Sequence, residues 1–359
     1  MLLKKTQNTD NIQVINKKLK PKESLTDTAF LLTITISLFI AIYALAVVFL
    51  GDKGFNKVQM FFNLFNENAA LIVIACGLSV VMITGSIDIS VGGSTALICT
   101  ACIVCLNNYG FNFFTSLILA LAIGLAFGAV QGFLVAYMDM QPFIVTLAGM
   151  FLGRGLVALI EVNQIQVKNV EFEKLSAARI QIPFLGDVNR KGVFIQSKLE
   201  YGVIVALIIV CFMFWLLKKT KLGRSFYAVG GNSQSALMLG INVKKTKFYA
   251  HLLCGLLAGI GGFLYVFHTR SGSVQQATGL EMDAIAASII GGTLLTGGVG
   301  NIFGTLFGVL TSGIVLLVVT AIGSQDPWWP QITRAAMLCF FIVLQSVICS
   351  RKGKKQKQG

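Results

Sequence analysis

Charge is what this chain has least of. Only 12% of its 359 residues are Asp, Glu, Lys or Arg, about half the ~25% usual in soluble domains. Acids are the scarcer sign, 15 against 29 bases, and there are only 5 prolines. Apolar residues reach 55%, more than a soluble fold of this size can enclose. A water-soluble domain is thereby excluded, and lipid is the main solvent. Few prolines and 37 glycines suit long helices in close contact. Several motifs are also missing. No G-x-x-x-x-G-K-[ST] occurs, so the chain does not cradle ATP by that route, and neither H-E-x-x-H nor G-x-S-x-G is present. The only histidines, His251 and His268, lie far from the cluster Cys99, Cys102 and Cys105. The cysteines read as packing residues in apolar runs, with no metal site and no disulfide framework. No catalytic residue is expected.

What is present is a series of apolar runs. A membrane-crossing helix needs about 20 apolar residues. Ten candidates are read: 29–50, 68–84, 91–106, 113–137, 142–160, 201–217, 248–267, 284–296, 301–322 and 332–349. The fold class is thus an all-α polytopic membrane protein, with some spans short or broken at glycines. Residues 1–28 form a basic tail, 29–349 the membrane domain and 350–359 a second basic tail.

The net charge of +14 is a topology signal. The tail 1–28, the loop 218–247 and the tail 350–359 together hold 18 of the 29 basic residues and only 3 acids. Ten spans put all three on one face, which is then cytoplasmic. The loop 161–200, with 6 basic and 5 acidic residues, falls outside as a small cap or interfacial hairpin. So does the loop 323–331, whose Trp328-Trp329 pair suits an interfacial aromatic belt or an external docking point. A nucleic-acid footprint is rejected on this distribution. Anionic lipid headgroups are a natural contact for the basic loop.

Two glycine-rich interruptions break the apolar sequence, Gly85–Ser94 and Gly291–Gly300. Irregular backbone at membrane depth is tolerated only against protein or a wet cavity, and broken helices are a recurring transporter device. The plainer alternative is a pair of tight turns. Asp88 in the first break is a costly carboxylate unless it is used, with Ser86, Ser90 and Ser94 to solvate it and Ser90 to cap the next helix. Glu281 and Asp283 form a second acidic pair at a helix start. Arg154, deep in the fifth span, needs a partner, and Glu281 or Asp283 is expected to supply it in a structural ion pair. Gly124/Gly128/Gly132, Gly255/Gly259 and Gly304/Gly308 allow close helix contact. In the loop 218–247, Asn232 is an expected N-cap for a short helix over Ser233–Leu239.

These residues also carry a resemblance. Ile83–Gly92 (ITGSIDISVG), Gln141–Leu147 with Arg154-Gly155, Thr220–Arg224 with Tyr227–Asn232 and Gly240-Ile241, and Glu281–Gly300 resemble, in order, four segments of the bacterial ABC-importer permeases for monosaccharides of the ribose and galactose type. Residues 146–151, 291–304 and Trp328-Trp329 look most like the galactofuranose-transporting branch. Ser86 departs from that pattern, where the family has Gly, and Arg334 is unusual at the opening of the last span.

The resemblance implies a type II-importer-like bundle without an ATPase of its own, in the bacterial inner membrane with both termini cytoplasmic. ATP and magnesium would be bound by a separate cytoplasmic ATPase. A second permease subunit, identical or a sister chain, and an extracytoplasmic sugar-binding protein would complete the assembly. It further implies a sugar path beside Asp88, Ser90, Pro142, Phe143, Thr146 and Asp283. ATPase coupling would run through Gly223, Arg224, Asn232, Ser235, Leu239 and Gly240. Gly291, Gly292, Gly297 and Gly298 would serve helix packing. Nucleosides or branched-chain amino acids are alternative cargoes. A gradient-driven transporter would need mid-span coupling carboxylates, which the sequence hardly offers, and an intramembrane enzyme would need a nucleophile–base pair that is not found.

Overall fold

The computed structural model describes residues 23–188, 194–322 and 328–357. Most of the tail 1–28, Asp326-Pro327 and residues 358–359 lie outside them. Among the described residues the order is α1 (Glu23–Leu50), α2 (Val58–Ile83), α3 (Val91–Asn108), α4 (Phe113–Tyr137), α5 (Pro142–Ile160), β1 (Ile165–Gln166), α6 (Val170–Ala177), β2 (Arg179–Val188) and β3 (Phe194–Glu200). There follow α7 (Tyr201–Lys219), α8 (Lys221–Gly231), α9 (Ser233–Met238), α10 (Val243–Thr269), β4 (Ser271–Gly272), α11 (Leu280–Ile290), α12 (Ile302–Ile322) and α13 (Trp329–Lys357). Eight of these helices (α1–α5, α7, α10 and α12) are long and apolar enough to cross a membrane, while α11 and the apolar stretch Trp329–Val343 are shorter. The protein is an all-α polytopic membrane bundle.

Helices α2, α3 and α10 form its buried centre, and α1, α4 and α5 its rim. Lipid supplies no hydrophobic drive between helices, so small residues and polar contacts hold them. The expected glycine steps do this. A Cβ at Gly124 would lie 2.7 Å from Gly259 Cα, and one at Gly255 2.7 Å from Gly128 Cα, so α4 and α10 touch backbone to backbone. A Cβ at Gly291 would lie 2.5 Å from the Gly304 carbonyl oxygen, which joins α11 to α12 in the same way. The Ser79 hydroxyl lies 2.9 Å from that of Ser288 and 2.7 Å from that of Thr305, tying α2 to α11 and α12.

Several boundaries differ from expectation, and three of them have a clear physical reason. α2 starts at Val58, not 68, although Gln59, Asn63, Asn66 and Glu67 are polar. The hairpin β2–β3 satisfies two of them, Gln59 and Asn66. Gln59 Nε2 and Asn66 Nδ2 donate to the Lys198 carbonyl, and Asn66 Oδ1 accepts from the Glu200 amide at 2.9 Å. Glu200 also pairs with Arg179 at 2.7 Å and His268 at 2.8 Å, which pins the 161–200 segment to the bundle. α11 stops at Ile290 rather than 296, because the chain turns through Gly292 with φ +87°, a conformation glycine adopts freely. α13 runs on to Lys357, so the expected tail from 350 is helical in its described part. Its Lys and Gln residues are good helix formers.

Candidate functional site

The ends of α2, α4 and α7 and the segment 291–301 meet at one end of the bundle, the basic end. Gly298 N donates to the Ile83 carbonyl at 2.8 Å, and Lys244 reaches Asp139 at 3.4 Å. Just inside this end lies the first break. Gly85 has φ +78° and turns the chain out of α2. Asp88 is buried. Its Oδ1 accepts from the Ser90 amide at 2.9 Å and the Ser90 hydroxyl at 2.7 Å, an Asx turn. Ser90 stands at the N-cap of α3, but its hydroxyl serves Asp88 instead of capping the helix. That hydroxyl also lies 3.1 Å from Gln131 Oε1 on α4. The Thr146 hydroxyl donates to the Pro142 carbonyl at 2.9 Å and lies 3.4 Å from the Ile87 carbonyl, so α5 closes one side.

Asp88, Ser90, Pro142 and Thr146 therefore gather in one polar cluster of backbone and side chain. The Phe143 carbonyl lies 3.4 Å from the same Thr146 hydroxyl, while the Phe143 side chain is about half exposed on α5. Two members were not foreseen. Gln131 is buried, and its Nε2 has no hydrogen-bond partner. His251 on α10 is fully buried, neither ring nitrogen has a partner, and its Cβ packs against Gly132, next to Gln131. Each is a polar residue inside an otherwise apolar run. That was the available signal.

A second polar group lies toward the opposite end. The expected pairing of Arg154 with Glu281 or Asp283 is not formed. Arg154 Nη1 donates to the carbonyls of Val274 at 2.6 Å and Gln276 at 2.8 Å, and Nη2 to that of Ala277 at 3.2 Å. A guanidinium is a planar fork of donors, and the 274–277 loop turns its carbonyls onto it. Asp283 instead takes Arg334 of α13, with Nε 3.0 Å from Oδ1. Glu281 is buried beside Gly92, and its Oε2 has no partner. Asp283 makes its ion pair with Arg334 rather than with the Asp88 group.

The third group sits on the basic end. Thr220 Oγ1 accepts from the Gly223 amide at 3.0 Å and starts α8. Gly223 is buried, and a Cβ there would lie 2.5 Å from the Leu216 carbonyl. Arg224 Nη1 donates to the Lys219 carbonyl at 3.3 Å. Asn232 caps α9, its Oδ1 accepting from the Ser235 amide at 2.8 Å, and Gly240, with φ +80°, ends that turn. Leu237, Met238 and Leu239 stand exposed. The other end of α8 wedges into both breaks. A Cβ at Gly230 would strike the Ile83 carbonyl and lie 2.6 Å from Gly298 N, and one at Gly297 would lie 2.8 Å from Gly85 N. Tyr227 completes the joint by donating to the Gly300 carbonyl at 2.9 Å. Burial pushes its phenol up to about 12, so it keeps its proton. Gly297 and Gly298 are packing residues of this joint, as Gly291 is of the α11–α12 contact. Gly292 serves the turn.

Comparison with known proteins adds identity to this geometry. A family model described as the permease component of the branched-chain amino acid transport system matches residues 60–342. The inner membrane ABC transporter permease protein YjfF of Escherichia coli K12 is 33% identical over 88% of this chain and 91% of its own. The fructose import permease protein FruG of Bifidobacterium longum is 33% identical over 82% and 84%. The ribose import permease protein RbsC of Escherichia coli K12 is 32% identical over 86% and 92%. No solved structure matches the chain.

Proposed function

We infer from one premise, that the chain belongs to the permease-component family of the branched-chain amino acid transport system, that it is the membrane permease subunit of an ATP-driven monosaccharide importer. It is a multi-pass inner-membrane protein and a transport subunit, not an enzyme. Relatives that cover more than four-fifths of it are named as fructose and ribose import permeases, which favours a sugar over an amino acid. A separate ATPase docks on the basic end, which is cytoplasmic by the positive-inside rule. It grips α9, where Leu237, Met238 and Leu239 offer exposed apolar anchors beside capped backbone. An external binding protein delivers the sugar at the opposite end, and a second permease subunit lies against the exposed rim. ATP and magnesium belong to the ATPase.

The observation that carries the coupling is the joint of Gly230 and Gly231 with Ile83, Gly85, Gly297 and Gly298. It connects the docking segment to both broken helices. On this reading Asp88, Ser90, Gln131 and Thr146 line the sugar's exit toward the basic end, and Gly223, Arg224, Asn232, Ser235, Leu239 and Gly240 shape the coupling segment.

The test is reconstitution of the chain with its ATPase and binding protein in proteoliposomes. Uptake of labelled ribose, fructose or galactofuranose that needs ATP on the side facing the ATPase is expected. Gradient-driven uptake by the chain alone would overturn the importer reading. ATP-driven uptake of leucine but no sugar would overturn the cargo.

A further inference from the structure

Resting on that reading, we propose that the recess between the 274–279 loop, the start of α11 and α13 is a monosaccharide-binding site at the end away from the ATPase. Asp283 and Arg334 are the pair that grips its hydroxyls.

The recess holds about 230 Å³ and is lined by Tyr265, Gln275, Gln276, Thr278, Asp283 and Arg334, with Ala277 and Leu280. Pockets for drug-sized ligands run ~300–1,000 Å³, so the occupant here is smaller, of the size of a monosaccharide. The chemistry narrows it further. A carboxylate only accepts hydrogen bonds and a guanidinium only donates them. An inorganic anion would meet Asp283 and a cation would meet Arg334, each with a repelling partner. An apolar solute would strip water from both charges with no compensation. A neutral polyol suits the pair, because adjacent hydroxyls donate to one member and accept from the other. Tyr265 adds an aromatic ring for an apolar C–H face. A zwitterionic branched amino acid would satisfy both charges, but apart from Ala277 and Leu280 the lining is polar and leaves no slot for an aliphatic side chain.

A further observation shows a site that is built in advance. The wall of the recess is fixed. Ala277 has φ +55°, a left-handed conformation that a residue with a Cβ keeps only when its surroundings impose it. Arg154 imposes it by holding the carbonyls of Val274, Gln276 and Ala277. A wall ordered beforehand does not have to be ordered by the ligand.

The test uses the complete assembly in proteoliposomes, with labelled ribose, fructose and galactofuranose as probes. Asp283→Asn and Arg334→Gln are expected to raise the KM for the transported sugar about tenfold, equivalent to ~1.4 kcal/mol of lost binding. In a second arm, Thr278→Cys is labelled with a membrane-impermeant maleimide, with the unsubstituted chain as background. The transported sugar should slow that labelling, and leucine should not. This arm stays informative where the charge variants fail to fold. Unchanged KM in folded Asp283→Asn and Arg334→Gln, or labelling indifferent to sugar, would overturn the site while leaving the importer reading intact. Protection by leucine in place of sugar would overturn the ligand class. Wild-type assemblies that import no sugar would overturn both readings together.

Discussion

Asp88 shows how far one residue can be read from sequence. A carboxylate between apolar spans signals a polar interior, and the structure gives it two hydrogen bonds from Ser90. Gln131, which meets the Ser90 hydroxyl, and His251 come from α4 and α10, and residues 41 or more positions apart leave no local pattern to link them. Arg154 misleads for a related reason. Sequence shows charges, and a backbone carbonyl carries none, so Glu281 and Asp283 looked like its partners while the 274–277 loop was invisible. Tyr227 is the residue whose role is easiest to isolate. Tyr227→Phe removes only the hydrogen bond to Gly300 and should cost about 0.5–1.5 kcal/mol. Its phenol is raised from 10.0 to about 12 in the folded protein. The unfolded chain therefore loses this proton first, and the wild type should lose stability relative to the variant as pH rises from 10 toward 12. Thermal melts of both proteins across that range give the difference. A pH-independent gap would show that the phenol does not titrate differently on folding.

At the scale of the element, the long helices were legible because hydropathy and length are enough to define a span. What was not legible is how polar faces are used. The start of α2 looked like loop until the hairpin β2–β3 supplied partners for Gln59 and Asn66. The 218–247 segment reads as one basic loop, yet it folds into α8 and α9 through the side-chain caps of Thr220 and Asn232. Of these only Asn232 stood out beforehand. The glycine steps were legible as contacts but not as to partner. Their importance is measurable. Gly255→Ala places a Cβ 2.7 Å from Gly128 Cα and should destabilise by about 1–3 kcal/mol, as overpacked sites do. Gly155→Ala on α5 meets nothing within 4 Å and should be neutral or stabilising by up to ~1 kcal/mol. Melting temperatures in one detergent compare them directly. An equal response would mean that the α4–α10 seam is not a tight contact.

For the whole molecule, geometry alone gives no orientation, because a bundle carries no label for inside, and the proposed one rests on the clustering of Lys and Arg. On the proposed reading the chain works with partners: the sequence has no G-x-x-x-x-G-K-[ST] motif, and the rim helices α1, α4 and α5 stay largely uncovered. Sidedness is open to a direct check. Leu239→Cys, at an exposed position, should react with an impermeant thiol reagent in inside-out vesicles and stay silent in right-side-out ones, above the background of the unsubstituted chain. The reverse result would turn the molecule over and remove the ATPase from α9. The joint at Gly230 and Gly231 adds a mechanical consequence. Side chains ordinarily cushion one helix against another by changing rotamer, and here peptide groups of α8 bear on those at Ile83, Gly85 and Gly298 with nothing in between. On the proposed reading a push on α8 therefore reaches both glycine-rich breaks undamped, so the two breaks cannot move independently of each other.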